Sequence, residues 1–451
     1  MMRTVRFILL MLVAVVACSP VKYADSYGFL PGNDALANSE ALQKCLDGGG
    51  RIRVRKTGIY PVCRTLVLDA GTDLSFKEGV VLSKELGPDG SGARFTFINR
   101  GAFTREYDEG IRVSGLHLQC NGLDSRSGGE LDIPGIVGLS CQVAFFYVKD
   151  LYIDRFTLLD LPPHDFAIQI CTFENVTVEN VHVEGMKDAV HFGPGRGFVV
   201  RHGVFKTYDD PIALNAHDYT TSNPELGWIE DGLIEDCTDL DDPENGTTGF
   251  FARILAGGWR DWEAGMKIQS SGDAVVCDGR IYRSNGPKVK VEYVSAFRPS
   301  HTEGTVKYPD GITWTMSQDR NICRSCGVRN VVFRDIRLLK KRQVALCLHF
   351  DHDQYSRSYY PYAEIPVQGN IVFEKVYVGN DIPVLIQSRT PVDSIILRDS
   401  RIGSSEIRLL KAIDAPGMEY DTTLVRLERV ECANPDSLVR SPGRPFKVML
   451  R

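Results

Sequence analysis

One short pattern returns along most of this chain: a Gly, Asn, Asp or other polar residue, then alternating apolar positions, then a polar turn. It occupies residues 150–158, 175–183, 197–205, 232–237, 278–282, 330–338, 370–378, 394–402 and 424–432. Asp150 to Asn175, Asn175 to Gly197 and Asn370 to Ser394 are 25, 22 and 24 residues apart, and elsewhere the spacing widens to between 30 and 52. Period-two alternation predicts strands. A unit this short cannot be a four-stranded propeller blade, and it lacks the Leu/Asn spacing of leucine-rich repeats. It suits one coil of a parallel β-helix, three short strands and three turns, with Asn, Asp and Gly at the corners supplying tight-turn dihedrals. A coil buries its inward side chains only by stacking on its neighbours, so the run is expected to form one cooperative all-β domain.

Residues 27–82 read as an entry segment, in which 38–46 predicts a short helix that would cover the open strand edge of the solenoid. Three stretches break the rhythm: 241–264, 297–327 and 350–369. They carry Phe250, Phe251, Trp259, Trp262, Trp314, Tyr355, Tyr359, Tyr360 and Tyr362 beside Arg260 and Arg357. Long insertions between coils are where a rigid scaffold places function, and such aromatics suit either sugar faces or packing against the stack.

The chain has 451 residues, 43% hydrophobic and 24% charged, which excludes a disordered polymer. Lys and Arg total 52 against 58 Asp and Glu, so no basic surplus exists to neutralise a nucleic-acid backbone. A short basic start, Met1 to Arg6, precedes an apolar run from Phe7 to Ala17, too short to span a bilayer and of signal-peptide length. The run ends at Cys18 and resembles a bacterial lipoprotein cleavage box. The expected division is a signal peptide at 1–17, a linker at 18–26 lipidated on Cys18, and a β-helix domain at 27–451. That places the protein in the periplasm or at the cell surface, with the lipid as its only membrane contact. The other 11 of 12 cysteines are an odd number, and many fall in apolar-alternating segments as core residues. Cys323 and Cys326 form the one CxxC, read as a local disulfide or two core cysteines rather than a metal site.

The chemistry concentrates between residues 188 and 218. Superposing 188–192 on 210–214 requires a shift of 22 residues, one coil, and stacks Val190 on Ile212 and Phe192 on Leu214. Asp188 and Asp210 then lie on adjacent coils, about 4.8 Å apart along the stack, with Asp209 beside them. Three carboxylates so close cannot all ionise without cost. An inverting glycosidase needs such a set: one carboxyl kept protonated for the leaving oxygen, another ionised to activate water. A solvated Asp-rich turn or a calcium site is the plainer alternative.

These residues resemble the polygalacturonase-like glycoside hydrolases (family 28) of the pectate-lyase-like, right-handed parallel β-helix superfamily. The likeness covers most of the chain, including the entry segment. The family's Asp-Asp motif and the residues after it match at Asp209, Asp210, Ile212, Ala213, Leu214 and Asn215; its Asn-Thr-Asp motif matches only at Asp188. The resemblance implies Asp209 as general acid, with Asp188 and Asp210 holding the attacking water. It implies a polysaccharide or oligosaccharide substrate, pectin-like or another complex glycan, and no cofactor or metal. Its Gly-His-Gly motif has only Thr247-Thr248-Gly249 here, without the histidine. Its Arg-Ile-Lys motif corresponds to Arg253 or to Lys267, either keeping one cation, which weakens the expectation of galacturonate. His191 and His217 could substitute in substrate binding, or serve as hydrogen-bonded turn histidines.

Two rival readings share the scaffold: a polysaccharide lyase using Lys187 or Lys267 as base with calcium, and a non-catalytic glycan-binding protein. The run His349 to Asp353 could present alternating metal ligands, but without a fourth ligand it reads as a polar strand end.

Overall fold

The computed structural model describes residues 20–129, 140–218, 222–287, 291–352 and 356–450, so Cys18 and the apolar leader lie outside the described residues. The main body is a 29-stranded parallel assembly wound as a single-domain β-helix, as the repeat predicts. Its phase is fixed by stacking. Leu151 pairs with Val176, Val176 with Phe198, Phe198 with Gly232, and Gly232 with Val331. The file continues through Ile371 and Ile395 to Val425, its side chains all buried. Each such side chain contributes about 1.5–3 kcal/mol when removed from water.

One corner of the coil demands a left-handed backbone. Asp150, Asn175, Asp231, Asn330 and Asn370 hold φ between 51° and 59° there, and Gly197 holds 70°. Asn and Asp tolerate this region better than other non-glycine residues. They also form a ladder: the Asn175 amide donates to Asp150 (3.2 Å), Asn330 to Asp231 (3.0 Å) and Asn370 to Asn330 (3.2 Å).

The entry helix runs Ala35–Leu46, its first turn capped by Asp34, and it packs Leu42, Cys45 and Leu46 against the first coil. The first strand, Lys22–Tyr23, pairs with Ile52 and Arg53, so the solenoid begins inside the stretch expected as linker.

One expectation is corrected, and one open alternative is decided. Residues 278–282 are not a coil. They follow the Asp278-Gly279 turn (φ 49° and 70°) of an antiparallel hairpin joining Ser271–Cys277 to Arg280–Asn285. Two central residues with positive φ are what a two-residue hairpin turn requires, and a hairpin strand alternates with the same period as a coil strand. The aromatics of the insertions mostly face inward. Trp314, Tyr282, Tyr359 and Tyr360 form a second core under the inserted sheet, and Trp259 and Phe251 join the main core. The 11 described cysteines are free thiols, including Cys323 and Cys326.

Gly232 faces the Phe198 ring, and an added Cβ would lie 2.1 Å from it. That ring is already held against Phe192, centroids 4.6 Å apart. Gly232→Ala is therefore expected to overpack the core and lower unfolding stability by about 1–3 kcal/mol, measured by urea denaturation.

Candidate functional site

Strand Val190–Phe192 pairs with Ile212–Asn215, Val190 on Ile212 and Phe192 on Leu214, and Ile212–Asn215 pairs in turn with Ala252–Leu255. The turn before each strand therefore repeats one coil higher. Asp188 sits against Asp210, whose backbone N–H points at the Asp188 Oδ1 (3.4 Å), and Lys187 donates to Asp209. Oxygens of Asp188, Asp209 and Asp210 lie within 4.8 Å of one another. Gly249 on the next coil permits the approach: a Cβ there would meet the Asp210 Oδ1 at 2.6 Å. Phe250 N–H then donates to that same oxygen (2.7 Å). From behind, the buried Arg342–Asp239 pair (2.7 Å) fixes the turn, Arg342 also donating to Thr247 (2.9 Å).

The three carboxyls differ in environment. Asp188 is buried, which alone would raise its pKa, but the bond from His191 Nδ1 (2.9 Å) and the charges of Lys187 and Arg253 hold it below the usual carboxylate range. Asp210 is pushed well above that range by burial and by the neighbouring Asp209 and Asp188. Of the three it is the one most biased towards keeping its proton. Asp209 is the one that reaches water, its side chain 19% exposed against 3% for Asp188 and 1% for Asp210.

His191 is the hinge of this network. Its Nε2 meets Asp218 at 2.9 Å while Nδ1 meets Asp188, so both ring nitrogens face carboxylates. Burial would lower the imidazole, yet the two carboxylates outweigh it and raise it above its ordinary value. The Phe166 ring stacks on it at 4.0 Å. Asn215 donates to Asp218 (2.9 Å), completing the set. Asp218 was not among the expected site residues, and Lys187 was expected only as the base of a lyase. The only sequence signal for Asp218 was its place at the end of the same Asp-rich segment.

The remaining candidates are placed as follows. Arg253 lies one coil beyond Asp210, its Nε 3.8 Å from the carboxyl, and is surrounded by the charges of Asp210, Asp351, Asp218 and Asp188. His217 is buried beside Trp259, and burial together with Arg283 lowers its pKa to about 3, so it is neutral. Lys267 is not brought to the carboxylates. It stands on the inserted sheet, mostly exposed, paired with Glu292 at 3.3 Å. His349 ends a strand that stacks on Ala252–Leu255 and lines a cleft of about 430 Å³ with Asp351, His352, Arg389 and Asp414, while Asp353 lies outside the described residues. By spacing alone Asp188, Asp209 and Asp210 could hold a cation, but the Lys187 ammonium already supplies positive charge there.

No protein-family model matches the chain, and no curated protein matches it. Solved structures do. A family 28 exopolygalacturonase of Yersinia enterocolitica superposes with a TM-score of 0.51 at 14% identity, over 95% of this chain and 78% of that one. The A-module of the mannuronan C-5 epimerase AlgE4 of Azotobacter vinelandii gives 0.44 at 10% identity, over 95% and 100%. The surface adhesin PfbA of Streptococcus pneumoniae gives 0.43 at 11%, over 95% and 93%. At these identities the likeness is one of fold.

The raised His191 pKa has a stability consequence. Its contribution is fully present below the unfolded value of about 6.5 and is lost as pH rises through the native value. The neutral His217 and His349, both held near 3, act oppositely: their contribution is present above about 6.5 and lost as pH falls. Comparing wild type with His191→Gln cancels that opposing part. The stability gap between the two proteins, from urea titrations at stepped pH, is expected to be largest below about pH 6.5 and to close as pH rises.

Proposed function

We propose that this protein is a glycoside hydrolase acting on a polysaccharide or oligosaccharide, with Asp188, Asp209 and Asp210 as its acid–base machinery. One observation carries the reading: three carboxyls converge with one held protonated, one held ionised and one facing water. The proton kept by the Asp209–Asp210 pair passes through Asp209 to the leaving glycosidic oxygen as its bond to the sugar breaks. Asp188, ionised, takes a proton from the water that attacks the sugar carbon. The exopolygalacturonase shares the fold and supports the same direction.

The spacing bears on stereochemistry. Inverting enzymes usually separate acid and base by roughly 6.5–9.5 Å, retaining ones by about 5–5.5 Å. Here the oxygens lie within 4.8 Å, so inversion requires the water to sit beside the pair rather than between its members. Proton NMR of the first product decides: inverted product fits the proposal, while retained product requires the carboxylate opposite the acid to act as nucleophile and overturns the water-activating role of Asp188.

A specific observation favours a second reading. Asp188, Asp210, His191 and Asp218 are almost wholly buried and mostly bonded to one another, as a structural network would be. In that case the solenoid binds glycan without cleaving it.

Asp209→Asn is expected to lower release of reducing ends about 10²-fold or more, with thermal unfolding unchanged. Products are expected to lack the near-ultraviolet absorbance of unsaturated uronates, and EDTA to leave the rate unaltered, as a calcium-dependent lyase would not. Absence of new reducing ends from every glycan tried, with binding retained in Asp209→Asn, would select the second reading.

We further propose that Cys18 is acylated and holds the protein at the periplasmic or outer face of a bacterial membrane. Cys18→Ser is expected to move the protein from the membrane to the soluble fraction of a host that processes lipoproteins.

A further inference from the structure

We infer that the site accepts a neutral sugar unit and disfavours a uronate; this rests on the glycan-acting reading above and names its substrate class. Recognising a carboxylate on a sugar takes a cation with bonding capacity to spare, best a guanidinium or ammonium not already neutralised. Among the described residues, each cation beside the three carboxyls is engaged from within. Lys187 is bonded to Asp209. His191 is held between Asp188 and Asp218. Arg253 has Asp210 at 3.8 Å, with Asp351 among the further carboxylates acting on it. Arg342 is closed by Asp239.

The neighbouring cleft adds a single cation. His349 pairs with Leu255, on the coil beyond the Arg253 strand, so the cleft lies on the same face, about 10 Å along the stack from Asp210. It holds one guanidinium, Arg389, against two carboxylates that line the same cleft, Asp351 and Asp414, while burial and the Arg253 charge keep His349 neutral. A uronate entering here meets more carboxylates than open cations. A neutral ring meets hydroxyl acceptors and the half-buried face of Phe250, which lies beside Asp210 and 5.8 Å from the His349 ring. Aromatic faces and carboxylate acceptors are what neutral sugars bind.

The test uses the full chain and four polymers: galactan and arabinan as neutral probes, polygalacturonate and alginate as uronate probes. Reducing-end release is measured with wild type, and retardation in native gels containing each polymer with Asp209→Asn. Neutral polymers are expected to be cleaved and to retard migration at least tenfold more effectively. Equal or better cleavage or retardation by a uronate polymer overturns the inference, as does failure of both neutral polymers in both assays. Retardation by neutral polymers without cleavage of any polymer supports the inference while sinking the hydrolase proposal, which keeps the two failures apart. Asp351→Asn, by removing one carboxylate that acts on Arg253, is expected to raise the ratio of polygalacturonate to galactan retardation about threefold. An unchanged ratio removes the electrostatic basis of the claim.

Discussion

Parallel strand pairing at a fixed rise is the constraint on which this protein depends. Hydrogen bonds between coils hold successive strands about 4.8 Å apart, so Asp188 and Asp210, distant in sequence, become neighbours once Val190 pairs with Ile212. The alternation that buries Val190, Phe192, Ile212 and Leu214 also points His191 and Asn215 to the outer face of the same sheet. A slip of one residue would turn the apolar files outward and dismantle the carboxylate set together. Core and site are therefore one register, and a mutation that shifts the first must disturb the second.

Charge burial sets the next condition. Four ionisable groups, Asp188, His191, Asp210 and Asp218, are removed from water within two coils. Such groups persist only when paired or neutral, because an isolated buried charge costs several kcal/mol. His191 solves this for Asp188 and Asp218 at once by bonding each through a different ring nitrogen. Asp210 has no histidine, only the Phe250 N–H and the more distant Arg253, and burial with the neighbouring carboxyls biases it towards its neutral form. The asymmetry between two carboxyls on adjacent coils thus follows from one histidine placed on the earlier coil and not repeated on the later one, where Ala213 takes its position.

Much of this was legible in the sequence, for identifiable reasons. The coil repeat shows because inward positions must be apolar and the corner must hold positive φ, so Asn175, Asn330 and Asn370 mark their turns. The 22-residue match of Asp188 to Asp210 shows because the apolar residues that follow them share one phase. The inserted sheet was illegible, since a strand of a hairpin and a strand of a coil alternate alike and only the Asp278-Gly279 turn distinguishes them. Asp218 and the Arg342–Asp239 pair were illegible for a different cause. Their partners come from other coils or loops, and no local period encodes which polar side chain a loop brings back. Lys267 was misplaced by the same limit: a motif match fixes residue type, not the sheet on which the residue ends.

Asp210 and Arg253 also mark where this structure departs from ordinary packing. Asp210 Oδ2 and Arg253 Nε are both buried without a hydrogen-bond partner, yet they face each other at 3.8 Å. A buried polar atom left unbonded costs about 1–3 kcal/mol, and closing that gap would satisfy both at once. Arg253 pairs with Ala213, so it approaches Asp210 from the next coil. Natural chains keep such local violations chiefly where function demands them. The unsatisfied pair includes Asp210, the carboxyl most biased towards its proton, and stands next to Asp209, the one that meets water. Packing economy is given up at a single turn of the solenoid, the turn on which the proposed acid–base role rests.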